Sequence, residues 1–287
     1  MAEPVRTKAN AGANEDADIS KIVDGINARN ECGQKIIEAA QRMLSIMIVG
    51  ARRRTGSSRG THHDFEVLVQ ITPKLSVWKK VEHKGGKTMM LIKEGEKPWA
   101  AGIQFYNGGC EKFAFTKIYA KLWYDKLIAS EVLKNKFNIK APIPTFEDWF
   151  ALDCKTQGEP KTAFGKEMKA VYRSYDKRPV LEEERREIVN TFSVTEEDTR
   201  ELMAEVLTIA NGVLKEKEMW LTIRGNLDGD FNCAWYPNFT LSKINSVSLQ
   251  KGLDIRFEFH CEGLDPFHGH LRWGSSQGIS NLRMDLK

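Results

Sequence analysis

Apolar residues recur at helical spacing from Asp18 onward, with Ile19, Ile22, Val23 and Ile26 on one face. Gly33 interrupts that pattern. A second stripe of Ile36, Ile37, Ala40, Met43, Leu44, Met47 and Ile48 predicts a helix over Gln34–Arg53. Its last turn would hold Arg52, Arg53 and Arg54, where cations suit the negative end of the helix dipole. The period then changes to two. Phe65, Val67, Val69 and Ile71 alternate with polar residues, and Leu75–Val81 alternates again after Pro73. Lys84-Gly85-Gly86-Lys87 reads as a turn, with further strands expected at Thr88–Lys93 and Gly102–Tyr106.

From Glu111 to Phe137 the spacing is helical again, and Phe115, Ile118, Tyr119, Leu122, Ile128, Val132 and Leu133 form the stripe. Pro142 and Pro144 end it. A short helix is expected from Thr145, with others over Thr162–Tyr175 and Pro179–Phe192. Another should run over Thr195–Glu216, opened by a Ser193–Glu196 capping pattern. After Glu218 the chain returns to strand patterning at Trp220–Arg224, Phe231–Tyr236 and Phe239–Val247. The clearest alternation is Leu253, Ile255, Phe257, Phe259 and Cys261 against Asp254, Arg256, Glu258 and His260. These elements predict an α+β protein: N-terminal helices with a β-hairpin or meander, a helical middle and a C-terminal antiparallel sheet. The sections are 1–16 as a disordered arm, 17–110, 111–217 and 218–287, with 111–287 able to pack as one domain with 17–110.

Composition refines the picture. Hydrophobic residues make up 41% of the 287, enough for a substantial core. The formal charge is only +4, but from Ala51 to Lys87 nine Lys and Arg face three acids, so the positive charge is concentrated. Five scattered cysteines without a C-x-x-C pair, and a polar start without an apolar leader, point to an intracellular protein with reduced thiols. The apolar run Met43–Val49 is too short to cross a bilayer, so no membrane partner is expected.

Three groups of residues carry candidate chemistry. The first is the cationic segment with Arg52, Arg53, Arg54 and Arg59, followed by Lys79, Lys80 and Lys84 around Trp78. Guanidinium forks pair with phosphate oxygens, and an indole can stack on a base. This predicts a non-enzymatic nucleic-acid-binding protein that contacts RNA or single-stranded DNA through phosphates, with self-association as in a nucleocapsid. No cofactor is required for that role. A structural or protein-interaction role is the plain alternative.

The second group follows from hairpin geometry. If positions summing to 146 oppose one another, Asp64 faces Glu82, with Lys84 two residues beyond on the same face. An aspartate beside a strand-borne Glu-x-Lys is the arrangement of metal-dependent nucleases of the PD-(D/E)xK type, where two carboxylates hold a divalent ion. The usual Pro-Asp start is missing, since His63 precedes Asp64. Cross-strand ion pairing would account for the same residues. The third group is at the C-terminus. A hairpin of 253–261 with 267–273, in which positions sum to 528, sets His260 against His268 and Glu258 against His270, a possible zinc set. A helix pair over Thr145–Thr156 and Thr162–Tyr175 has the outline of a helix-turn-helix with Lys166, Lys169 and Arg173. P-loop, G-x-G-x-x-G and G-x-S-x-G motifs are absent.

Overall fold

The computed structural model describes residues 11–54, 63–85, 104–156, 158–262, 265–274 and 278–287. The chain forms two compact units: Met1–Ile103 with Asn211–Thr240, and Gln104–Ala210 with Leu241–Lys287. Among the described residues no helix is long and apolar enough to cross a membrane. The protein is α+β, as the patterning predicts.

In the first unit, helices α1 (Ala11–Ala28) and α2 (Glu31–Leu44) lead into strands β1 (Met47–Arg53), β2 (Phe65–Thr72) and β3 (Leu75–Gly85). The chain leaves for the second unit and returns with β5 (Met219–Gly225) and β6 (Phe231–Pro237). The sheet order is β1-β2-β3-β5-β6. Among the described residues its only parallel pair is β3–β5, which requires a crossover connection, and the excursion through the second unit supplies it. The helices bury Ile19, Ile22, Val23, Ile26, Ile36 and Ala40 against Ile48, Phe65, Val67, Val69, Val81, Leu221 and Trp235. Full burial of each large aliphatic or aromatic side chain stabilises the unit by about 1.5–3 kcal/mol.

Three expectations are corrected in this unit. The second helix does not run to Arg53. It stops at Leu44, where Ser45 takes a left-handed conformation (φ 55°) and its N–H bonds to Gln41 O. The β-branched residues that follow pair as a strand, with Ile48 opposite Val69. Arg52–Arg54 therefore lie on and just after a strand rather than at a helix terminus. Gly33 does not interrupt anything: it sits inside α2, where a Cβ would come within 1.9 Å of Gly25 O, so it permits the close approach of α1 and α2. Lastly, α1 begins at Ala11, inside the segment expected to be an arm.

The second unit has the sheet β4-β10-β9-β8-β7, antiparallel throughout. Its strands are β4 (Tyr106–Gly109), β7 (Ile244–Lys251), β8 (Ile255–Cys261), β9 (Phe267–Trp273) and β10 (Leu282–Leu286). The helices are α3 (Ala114–Trp123), α4 (Val132–Phe137), α5 (Phe146–Trp149), α6 (Ala163–Arg173), α7 (Arg178–Thr191) and most of α8 (Glu196–Leu214), whose last four residues belong to the first unit. Edge-to-face aromatic pairs join helix to sheet, as in Phe115–Phe257 and Trp123–Trp273. The cap of α8 is a reciprocal pair of Thr195 and Asp198, two residues after the expected pattern: Asp198 N–H donates to Thr195 Oγ1 and Thr195 N–H to Asp198 Oδ2. The expected strand Thr88–Lys93 lies outside the described residues.

Candidate functional site

The β2–β3 hairpin pairs Phe65 with Val81, Glu66 with Lys80 and Leu68 with Trp78, the register in which positions sum to 146. Asp64, one residue before β2, is drawn onto β3 from both sides. Its N–H donates to Val81 O at 2.9 Å, and its Oδ2 accepts from His83 N–H at 2.7 Å. Alternation along β3 sends Val81 and His83 to the face with the apolar core, and Glu82 and Lys84 to the other. Lys84 Nζ lies 2.5 Å from Glu82 Oε1.

A residue that sequence reasoning missed completes the cluster. Lys217 sits just before β5, and the parallel register Val81↔Met219 brings it beside Glu82, Nζ 3.1 Å from the same Oε1. Glu82 and Lys217 are only 6% and 5% exposed. Burial pulls the Lys217 ammonium below the usual lysine range, opposed by the Glu82 carboxylate, reinforced by Lys84 and opposed again by Asp64. Its Nζ also lies 4.8 Å from the centre of the Trp220 ring. The signal for Lys217 was absent from local pattern, because its neighbour is a strand more than 130 residues earlier.

The site therefore contains one buried carboxylate shared by two ammonium groups, with a second carboxylate, Asp64, just before the adjoining strand. Two hard oxygen donors at such a point suit a divalent cation, and the lysines suit an anion next to it. His83, on the core side, is held at a pKa of about 4 by burial, and neither ring nitrogen has a hydrogen-bond partner among the described residues. Burial also lowers the pKa of His63, which lies 3.7 Å from Glu66 Oε1.

The cationic residues are distributed differently from the expectation of a solvent-facing loop. Arg52, opposite Glu66 across β1–β2, forms an ion pair with it and also lies 4.1 Å over the Trp78 ring. Arg54 donates to His63 O at 2.8 Å. Lys79 pairs with Glu218 at 2.8 Å, and Glu218 also accepts from Lys80 N–H at 3.0 Å. Arg53 is exposed and makes no ion pair among the described residues, while Trp78 keeps 38% of its surface in solvent. Arg59 lies outside the described residues. The face of β3 thus carries Trp78, Lys80, Glu82 and Lys84 in a line at about 6.6 Å intervals.

The C-terminal histidines adopt another register. Positions on β8 and β9 sum to 526, so Glu258 faces His268 and Arg256 faces His270. This register stacks Phe259 on Phe267 at 5.0 Å and places Gly269 where a Cβ would come 2.7 Å from the Phe259 ring. Aromatic packing chose the register, and the shift of two keeps every side chain on its expected face. His260 lies 2.9 Å from Glu258, and His270 3.5 Å from Asp254, which also binds Arg185 at 2.8 Å. Among the described residues no three His, Cys, Asp or Glu gather so as to hold a metal ion. In the expected helix pair, α5 is a single turn continued by a π-helical turn over Phe150–Cys154, and Asp153 is buried there as the acceptor of Lys161 N–H and Thr162 N–H.

Compared with family models, with curated proteins and with solved structures, the chain shows no match to any of them.

Proposed function

We propose that the protein is a metal-dependent phosphodiesterase acting on nucleic acid, with Asp64 and Glu82 holding a divalent ion and Lys84 and Lys217 facing the phosphate. The observation that supports this reading is the pairing of both Lys84 and Lys217 with Glu82, with Asp64 bonded to the β3 backbone at Val81 and His83 on either side of it. Magnesium is ordinarily bound through one or two carboxylates together with phosphate oxygens and water, so Glu82 on β3 with Asp64 just before β2 fits it. When bound, the ion supplies Lewis-acid polarisation and an acidified water. The chain's own contribution is to hold Asp64 rigidly through His83 N–H and to place two ammonium groups where charge develops on the phosphate. Burial that lowers the Lys217 pKa brings its proton exchange closer to neutrality than that of an exposed lysine. A strand of RNA or single-stranded DNA would run along β3 and stack on Trp78.

The second reading is non-enzymatic binding of the same polymers. It is supported by the exposed Trp78 indole with Arg52 upon it and by the exposed Arg53. It is the weaker reading because Arg52 and Lys79 already have carboxylate partners.

Incubation of labelled RNA and single-stranded DNA with the protein and Mg²⁺ or Mn²⁺ tests both. Cleavage lost in Asp64→Asn and in Glu82→Gln is the expected result. Salt-sensitive binding without cleavage under either ion would overturn the enzyme and leave the binder. Absence of both binding and cleavage would remove the two readings together.

A further inference from the structure

A second cationic cluster lies in the second unit, on helix α6, which carries Lys166, Lys169 and Arg173. These residues are spaced i, i+3 and i+7 on α6, so they share one face. They line a cavity of about 440 Å³ together with Ala170, Ser174 and Glu159, a volume within the ordinary range for small-ligand sites. Lys169 is only 4% exposed. A buried ammonium requires an anion beside it, and here the anion is Glu159, ion-paired with it.

The partner is an unusual one. Glu159 keeps 70% of its side chain in solvent and sits on the short Gly158-Glu159-Pro160 connection before α6. Among the described residues it is the only acid lining the cavity, against three cations, so that lining stays positive even with the pair formed. Ser174 contributes little as a donor, because its hydroxyl already bonds to Asp176. A solvent-facing carboxylate on a deeply placed lysine can be exchanged for a stronger anion at small cost, since its own hydration is nearly complete before and after. Two ammonium groups and a guanidinium fork around one cavity match the oxygens of a phosphate group.

We infer that this cavity binds a phosphate group and that the Glu159 carboxylate is the resident anion which the phosphate displaces. The inference does not depend on the Asp64–Glu82 reading, since no residue is shared. Removing the acid of this ion pair while keeping its lysine should therefore improve the site.

Calorimetric titration of the full chain with inorganic phosphate, pyrophosphate and a short single-stranded oligonucleotide tests it, at fixed ionic strength set with chloride. Glu159→Gln should tighten binding about tenfold, which corresponds to about 1.4 kcal/mol. Lys169→Met should abolish it, and Arg173→Gln, at a less buried position, should weaken it without risk to folding. Binding of pyrophosphate or phosphate assigns the site to a free ligand. Tightening seen with the oligonucleotide alone assigns it to a nucleic-acid backbone. Unchanged or weaker affinity in Glu159→Gln, or heats matched by chloride alone, would overturn the proposal.

Discussion

Each of the two sheets carries a charged row on the strand face opposite its apolar row, and the two rows have different fates. On β3 the row meets a lysine from a strand far along the chain, and Glu82 and Lys217 end up almost wholly out of solvent. On β8 and β9 the row pairs with its immediate neighbours, and His260 and His268 keep 44% and 49% of their side chains exposed. The periodicity is the same, but the dielectric surroundings are not. Charges at about 3 Å interact weakly in water and several-fold more strongly in a protein interior. The first row can therefore organise chemistry, whereas His260 and His268 in the second stay in solvent-exposed contact with Glu258.

The contrast can be broken most sharply at Glu82. Glu82→Leu leaves Lys217 buried without its carboxylate, and the expected loss is about 3–5 kcal/mol by urea unfolding. The double variant Glu82→Leu/Lys217→Met should recover most of it. Equal stability of the single variant and wild type would show that Lys217 reaches water after all. The next effect is one of pH. His83 titrates near 6.5 when unfolded and at about 4 when folded, so between those values the unfolded chain binds more protons. Stability should accordingly fall as pH drops from about 6.5 to about 4, by about 3 kcal/mol in total. His83→Met should flatten that slope, and an unchanged slope would assign acid sensitivity to other groups.

Smaller effects sharpen the same comparison. Trp78→Ala should weaken binding of a single-stranded oligonucleotide by about 1–3 kcal/mol while leaving the unfolding midpoint nearly unchanged. Affinity that ignores Trp78 would move the nucleic-acid path off β3. In the second sheet, His260→Ala and His268→Ala should each change stability by less than about 0.5 kcal/mol. A larger loss in either would mean that the exposed row is more tightly coupled than its geometry implies.

Much of this was legible along the chain. The stripe of Ile19, Ile22, Val23 and Ile26 is a buried helix face, and β2 pairs with β3 in the expected register from Gln70 back to Phe65, beyond a shift between Gln70 and Thr72 next to the turn. The short connection leaves few ways to pair the strands, and alternation then fixes which of their residues share a face. The longer β8–β9 connection allowed two registers of the same parity, and the choice fell to the Phe259–Phe267 stack and the slot at Gly269. At Met47 and Ile48 helix and strand periods coincide. Local pattern favoured continuing the helix, and pairing with β2 prevailed.

Alternation and turn chemistry thus decide which side chains share a face over a few residues, because those relations are set by backbone geometry alone. Which strands become neighbours, and which charges lose their water, depended on β5 returning parallel to β3 after the excursion through Gln104–Ala210. Lys217 is an ordinary lysine in a charged stretch until that pairing encloses it. Desolvation arises from everything packed around a group, and no short window of residues contains it.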